Sequence, residues 1–344
     1  MLCDGGPVIR LGRELTTSSV EVIAAALSRG VLAEARSHDC LMVDMSEVRW
    51  AYPTGIVGVL ALLRYMTATL GWTTSAHFGK ATVQLPARRN KNSFPAGYLN
   101  SIGFINHCER LFVDTNKTQI PFLGESRDCF APRLYLDLRR VESGATAHPK
   151  TRDDFLAEVN AEVLSRFRRW LAEKAVLARN EPKAVIGAAS ALQELVTNVF
   201  DHSTTGGYAY AQQGVRSRRR YLAVVVADTG PGIHKSIQIL AETLNKPEIS
   251  DGEAIRLAGE KFATSKPRRI GGGRYGGGIG LSILQEVADE TEGVLNVRSG
   301  NAAAHYRAGH MSIIEKGLAE YPGTYVSLYI PILNEGGAPN VDGE

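Results

Sequence analysis

The sequence predicts an α/β (α+β) protein built from two domains, and three observations carry that reading. The chain has 344 residues, whereas single domains commonly run about 100–200 residues. Short apolar runs of strand character, CLMVDMSEV at 40–48 and YLAVVVAD at 221–228, alternate with segments of helical period. Hydrophobic residues make up 44% and charged residues 22%, which permits a sizeable core and argues against a largely disordered chain.

Element by element, residues 13–36 place Val20, Ile23, Ala24, Leu27, Val31 and Leu32 at helical spacing. The run at 40–48 then forms a buried strand. Tyr52-Pro53-Thr54-Gly55 makes a turn, because proline fixes φ and glycine frees it. Thr54 is placed to cap the apolar helix IVGVLALLRYM at 56–66. Residues 72–85 can hold another strand, the polar and basic 86–97 a loop, and 98–111 a short helix. Residues 121–130 read as linker, and 133–141 alternate as a strand. A long amphipathic helix over 152–177 sets Phe155, Val159, Val163, Phe167 and Leu171 on one side. The expected limits are 1–115 for the N-terminal domain, 116–130 for a linker, 131–335 for the C-terminal domain and 336–344 for a flexible tail.

Charge and cysteine usage narrow the function classes. The net charge is +3, from 39 basic and 36 acidic residues, so neither nucleic acid nor an anionic membrane is expected as partner. The basic run Arg216, Arg218, Arg219, Arg220 lies between two strand patterns and reads as a hairpin loop. The longest uncharged apolar stretch, roughly 50–63, is shorter than the ~20 residues of a membrane span, and the N-terminus lacks an apolar signal core. Cys3, Cys40, Cys108 and Cys129 are far apart with no CxxC pair. That predicts reduced thiols, a cytoplasmic location and no zinc site.

Chemistry concentrates in three blocks. In ALQELVTNVFDHS, 191–203, Glu194, Asn198 and His202 recur every four residues and share one helix face. An amide oxygen there can ligate a hard cation, and a carboxylate can orient or deprotonate an attacking group. Alone, the block is equally an ordinary polar stripe. In YLAVVVADTGPGI, 221–233, a buried strand ends in Asp228 and a tight turn with Gly230 and Gly232. An acid at a strand end can accept a hydrogen bond from a ligand amine, and the glycines let backbone approach a flat ring. In GGGRYGGGIGLSILQEV, 271–287, glycines run into a helix, whose free N–H groups suit phosphate oxygens. The run lacks the Lys-Ser/Thr of a P-loop and the βαβ setting of a Rossmann site.

In this order the blocks resemble the GHKL (Bergerat-fold) ATP-binding domain shared by gyrase B, MutL, histidine kinases and anti-sigma-factor serine kinases, over roughly 121–331. The resemblance implies an α/β sandwich, a mixed sheet with helices on one face. It implies ATP and Mg²⁺ as ligands: Asp228 on the adenine amino group, Gly230 and Gly232 in the adjoining turn, and Thr324 of the last strand near the adenine. Asn198 would ligate Mg²⁺, the backbone at Gly276, Gly278 and Gly280 would hold phosphates, and Glu194 would be the catalytic base. Residues 233–275 would form a lid, within which KFATSKPRR makes Lys266 a candidate γ-phosphate contact. The N-terminal segment resembles a degenerate STAS domain through VDMSEVRWAYPTGIVGVLALL, 43–63, and GYLNSIGFINHCERLFV, 97–113. Thr54 falls where that family carries its phosphorylated residue, although Tyr52 and Pro53 replace the usual preceding Asp-Ser.

The resemblance therefore implies an ATP-dependent regulatory or signalling switch of bacterial type that hydrolyses ATP. The alternatives are a serine/threonine kinase acting on a STAS-type partner or on Thr54, and a module that holds ATP without turnover. A protein partner and a homodimer are expected. A histidine kinase is not, since no helix carries an H-E/D-x-x-x-P pattern.

Overall fold

The computed structural model describes residues 5–71, 80–84, 98–99, 102–111, 114–115, 134–141, 182–203, 205–216, 219–243, 248–260 and 280–332, with isolated positions between 154 and 165. The expected loop 86–97, the linker 116–130, most of the helix 152–177 and the tail 336–344 lie outside these residues.

The N-terminal unit begins with β1 (Val8–Arg10) and β2 (Glu14–Leu15). Next come α1 (Thr17–Ser28) and α2 (Val31–His38). The single helical stretch expected over 13–36 is thus two helices. Gly30, with φ +86°, breaks it, a left-handed conformation that glycine adopts without steric cost. At the start of α1 a capping box closes: Thr16 Oγ1 accepts the Ser18 N–H, and Ser19 Oγ accepts the Thr16 N–H. Strands β3 (Cys40–Asp44) and β4 (Trp50–Ala51), helix α3 (Pro53–Leu70), β5 (Lys80–Gln84), α4 (Phe104–Leu111) and β6 (Asp114–Thr115) complete the unit. Four strands form a parallel sheet in the order β1-β3-β5-β6. The cap of α3 departs from expectation. Tyr52 occupies the N-cap and Pro53 the first turn, where a missing N–H costs nothing, so Thr54 sits inside the helix. Cys40 is disulfide-bonded, against the expectation of reduced thiols, while Cys108 is free and buried.

The C-terminal domain holds β7 (Leu134–Val141), α5 (Pro182–His202), β8 (Gly207–Arg216), β9 (Arg219–Asp228), α6 (Gly232–Thr243) and α7 (Asp251–Ala258). It continues with α8 (Gly280–Glu290), β10 (Val294–Gly300), β11 (Ala302–Arg307), β12 (His310–Ile314) and β13 (Tyr321–Ile332). Seven strands run in the order β12-β11-β10-β13-β9-β8-β7. The domain is the α/β sandwich expected. Every described pairing in its sheet is antiparallel, and hairpins join β8 to β9, β10 to β11 and β11 to β12. Arg216 faces Arg219 across one such hairpin, as the basic run implied.

Strand alternation gives the sheet two different faces. Val224, Val226, Leu295, Val297, Val326 and Leu328 point to one side, where they pack with Leu192, Val196 and Val199 of α5 and Leu284 and Val287 of α8. Val225, Ala227, Tyr208, Tyr210, Tyr321 and Tyr325 point to the other. They share one core with Ile56, Val59, Leu60 and Leu63 of α3 and with the N-terminal sheet. Helix α3 is long and apolar enough to cross a membrane by length and composition alone, yet 83% of it is buried in the protein. Full burial of each Val, Leu or Ile side chain is worth about 1.5–3 kcal/mol, so α3 supplies much of what joins the two halves.

Polar contacts fix the register of that junction. The buried Arg298 guanidinium reaches Glu21 of α1 at 2.8 Å and donates to the Ala302 carbonyl at 3.1 Å. It also donates to the carbonyls of Gly300 and Ala319. Arg64 of α3 donates to the Thr205 carbonyl, and Tyr98 Oη donates to Gln212 Oε1 at 2.5 Å.

Candidate functional site

The helix-covered face carries the site. Strand β9 ends at Asp228, and β13 sets Thr324 directly opposite it. The two residues were expected in the same pocket, and the register brings them together. Asp228 Oδ1 accepts the Gly230 N–H at 2.8 Å, so the turn after the strand folds back on its own carboxylate. Desolvation is the larger influence on that carboxyl and raises its pKa to about 7. The backbone N–H groups of Gly230 and Thr324 pull the other way and only partly offset it. A carboxyl held this way is an acceptor short of donors, which suits the amino group of a purine ring.

Glycine is required on three sides of this acceptor. A Cβ at Gly230 would lie 2.8 Å from the His202 carbonyl and 2.9 Å from Asp228 Oδ1. Gly232 has φ +77°, and its Cβ would lie 2.9 Å from Ser299 Oγ. A Cβ at Gly323, just before Thr324, would run into the Asp228 carbonyl. These positions form a cradle with no room for side chains of their own.

The same turn is clamped to the end of α5. Thr205 and Thr229 hydroxyls meet at 2.6 Å, and Ser203 Oγ donates to the Gly206 carbonyl at 2.8 Å. Helix α5 therefore ends against the cradle. Glu194 and Asn198 stand on it at intermediate burial, one turn apart on a common face. Helix α8, opened by Gly280, packs along α5. Lys266, Gly276 and Gly278 lie outside the described residues.

The span expected as a lid, 233–275, takes in most of α6 and all of α7. Helix α6 is fastened at its first turn, where Ser299 Oγ accepts the Ile233 N–H at 2.9 Å. Helix α7 is capped by Ser250 in a capping box with Glu253. Its N-terminus is held from outside as well. Asp251 accepts the Asn301 N–H at 2.7 Å and lies 3.3 Å from His234 Nδ1, and Glu315 accepts the Gly252 N–H at 2.7 Å. Hydrogen bonds from Ser250 and Gly252 lower the Glu315 pKa. Helices α6 and α7 are thus tied at their N-termini to the sheet and its connections.

Residues 184–334 match the model of the Histidine kinase-, DNA gyrase B-, and HSP90-like ATPase family. Over that stretch the C-terminal domain is similar to GHKL-type ATPase domains. The match takes in Glu194, Asn198, Asp228 and Thr324, and it leaves the N-terminal unit outside. No curated protein matches the chain.

Three contributors to this cradle escaped sequence reasoning: Ser299, Gly323 and the Thr205–Thr229 pair. A signal existed for the first. Ser299 continues the period-two series of Leu295 and Val297, so it is a polar residue on an inward, apolar face. The threonine pair joins residues 24 positions apart, and nothing local announces it. Thr54, by contrast, lies on the opposite side of the sheet. It is buried, 3.5 Å from Tyr329 Oη.

Proposed function

We propose that the chain is an ATP-dependent regulatory switch whose GHKL domain hydrolyses Mg-ATP. The observation that carries this is the desolvated Asp228 carboxyl, facing a cradle of glycines beside Thr324. In this reading Asp228 accepts a hydrogen bond from the adenine amino group, and the Gly276–Gly280 backbone meets the phosphates. Among the described residues no three His, Cys, Asp or Glu side chains could hold a metal together. Magnesium would then be ligated by Asn198, phosphate oxygens and water, which is its usual habit with nucleotides. Glu194, one turn from Asn198, orients and deprotonates the attacking water. The N-terminal unit, with its likeness to STAS domains, transmits the state of the site to a protein partner.

The kinase alternative needs a hydroxyl acceptor. Thr54 is separated from Asp228 by the thickness of the sheet, so transfer to it in the same chain requires the N-terminal unit to leave. A separate STAS-type partner carries no such requirement. Incubation with γ-labelled ATP distinguishes these outcomes. Phosphate release without protein label supports the switch, label on Thr54 or on an added partner supports the kinase, and tight binding with neither supports a passive module. Glu194→Ala is expected to bind ATP normally and to stop turnover; normal turnover would remove Glu194 as the base.

A further inference from the structure

We infer that Ser299 is a positioning residue for the adenine end of the nucleotide, an inference that rests on the ATP reading above. Ser299 is buried on β10, and its side chain is the meeting point of two backbone segments that build the cradle. Its hydroxyl accepts the Ile233 N–H at 2.9 Å and donates to the Gly323 carbonyl at 2.9 Å. Ile233 comes directly after the Asp228–Gly232 turn, and Gly323 precedes Thr324. One hydroxyl therefore holds the turn after the adenine acceptor against the strand residue that stands opposite that acceptor.

A hydroxyl has a single proton, and here it is committed to Gly323, so both roles of Ser299 are used and their polarity is fixed. Size is matched as well. Gly232 has φ +77° and would place a Cβ 2.9 Å from Ser299 Oγ, so a side chain at position 232 would push the turn away from β13. Removal of the hydroxyl leaves a half-buried N–H and a buried C=O without this partner at once. The strand pairing of Thr324 with Asp228 would survive, but the turn would lose its anchor to it.

The test is nucleotide affinity of the full chain, measured by calorimetry with Mg-ATP and with ADP. Ser299→Ala is expected to weaken both by a similar factor of about 10, because the lost anchor serves the part that the two nucleotides share. Ser299→Thr, which keeps the hydroxyl, is expected to recover most of the loss. Should the alanine variant not fold, Ser299→Cys keeps the shape, weakens both hydrogen bonds and serves in the same comparison. Wild-type affinity in the substituted chain would overturn the inference. So would a loss confined to ATP, or a threonine variant no better than alanine. Failure of the wild-type chain to bind either nucleotide would instead overturn the ATP reading itself.

Discussion

The two faces of the seven-stranded sheet are made by the same strands and serve opposite ends. On one face β9 and β13 present Val226, Asp228, Thr324 and Val326, so an apolar floor runs up to a polar cradle. On the other they present Val225, Ala227, Tyr321 and Tyr325, and α3 closes over them. The first face keeps a desolvated carboxyl short of donors. The second buries its apolar area and leaves the hydroxyl of Tyr321 without a hydrogen-bond partner among the described residues, a sign that packing outweighed polar satisfaction there. The candidate site and the docked N-terminal unit thus lie on opposite sides of a single layer of backbone, and period-two alternation makes the division.

That division can be broken on either side. The largest effect is expected from Asp228→Asn, which should weaken ATP binding roughly 100-fold or more and leave the N-terminal unit docked. The same variant sharpens the electrostatic account. The native Asp228 carboxyl keeps its proton up to about pH 7, whereas an unfolded aspartate loses its proton near pH 4. Between those values the native state binds more protons than the unfolded state, so this residue lowers stability as pH rises. Urea unfolding across pH 4.5–8 should therefore show the asparagine variant gaining on the wild type as pH increases. A constant difference would remove the desolvated carboxyl from the account.

Within the N-terminal unit that docks on the second face, Gly55→Ala is expected to cost about 3 kcal/mol. Its Cβ would meet the backbone of Leu15 and Thr16, which cannot swing aside as a side chain could. Denaturant unfolding measures the loss, and ATP affinity of the folded fraction should be unchanged. The smallest effect belongs to Glu21→Gln. Glu21 is 36% exposed and Arg298 keeps its carbonyl partners, so the loss should stay under about 1 kcal/mol. A larger one would make this ion pair, rather than α3, the main fastening.

Much of the helix-covered face was legible in the sequence. The acid at the strand end and the glycines after it are local patterns, and residues 184–334 match the ATPase family that those patterns resemble. The covered face was not legible. Tyr208, Tyr210, Tyr321 and Tyr325 read as ordinary strand aromatics, and the sequence of α3 says that it is buried without saying against what. Thr54 illustrates the limit: a cap was expected from its place after Pro53, but Tyr52 took the cap, and only the three-dimensional packing puts Thr54 beside Tyr329. Ser299 is a middle case, visible as an inward polar residue and interpretable only once its two backbone partners are known.

The central claim is that nucleotide binds on the face of Asp228 and not on the face of α3. Amide hydrogen exchange of the full chain, with and without saturating Mg-ATP, tests it directly. Slowed exchange at 228–233 and at Gly323–Thr324, with α3 unchanged, is the predicted result. Protection centred on Thr54 and the neighbouring turns of α3, with the Asp228 turn unaffected, would contradict it.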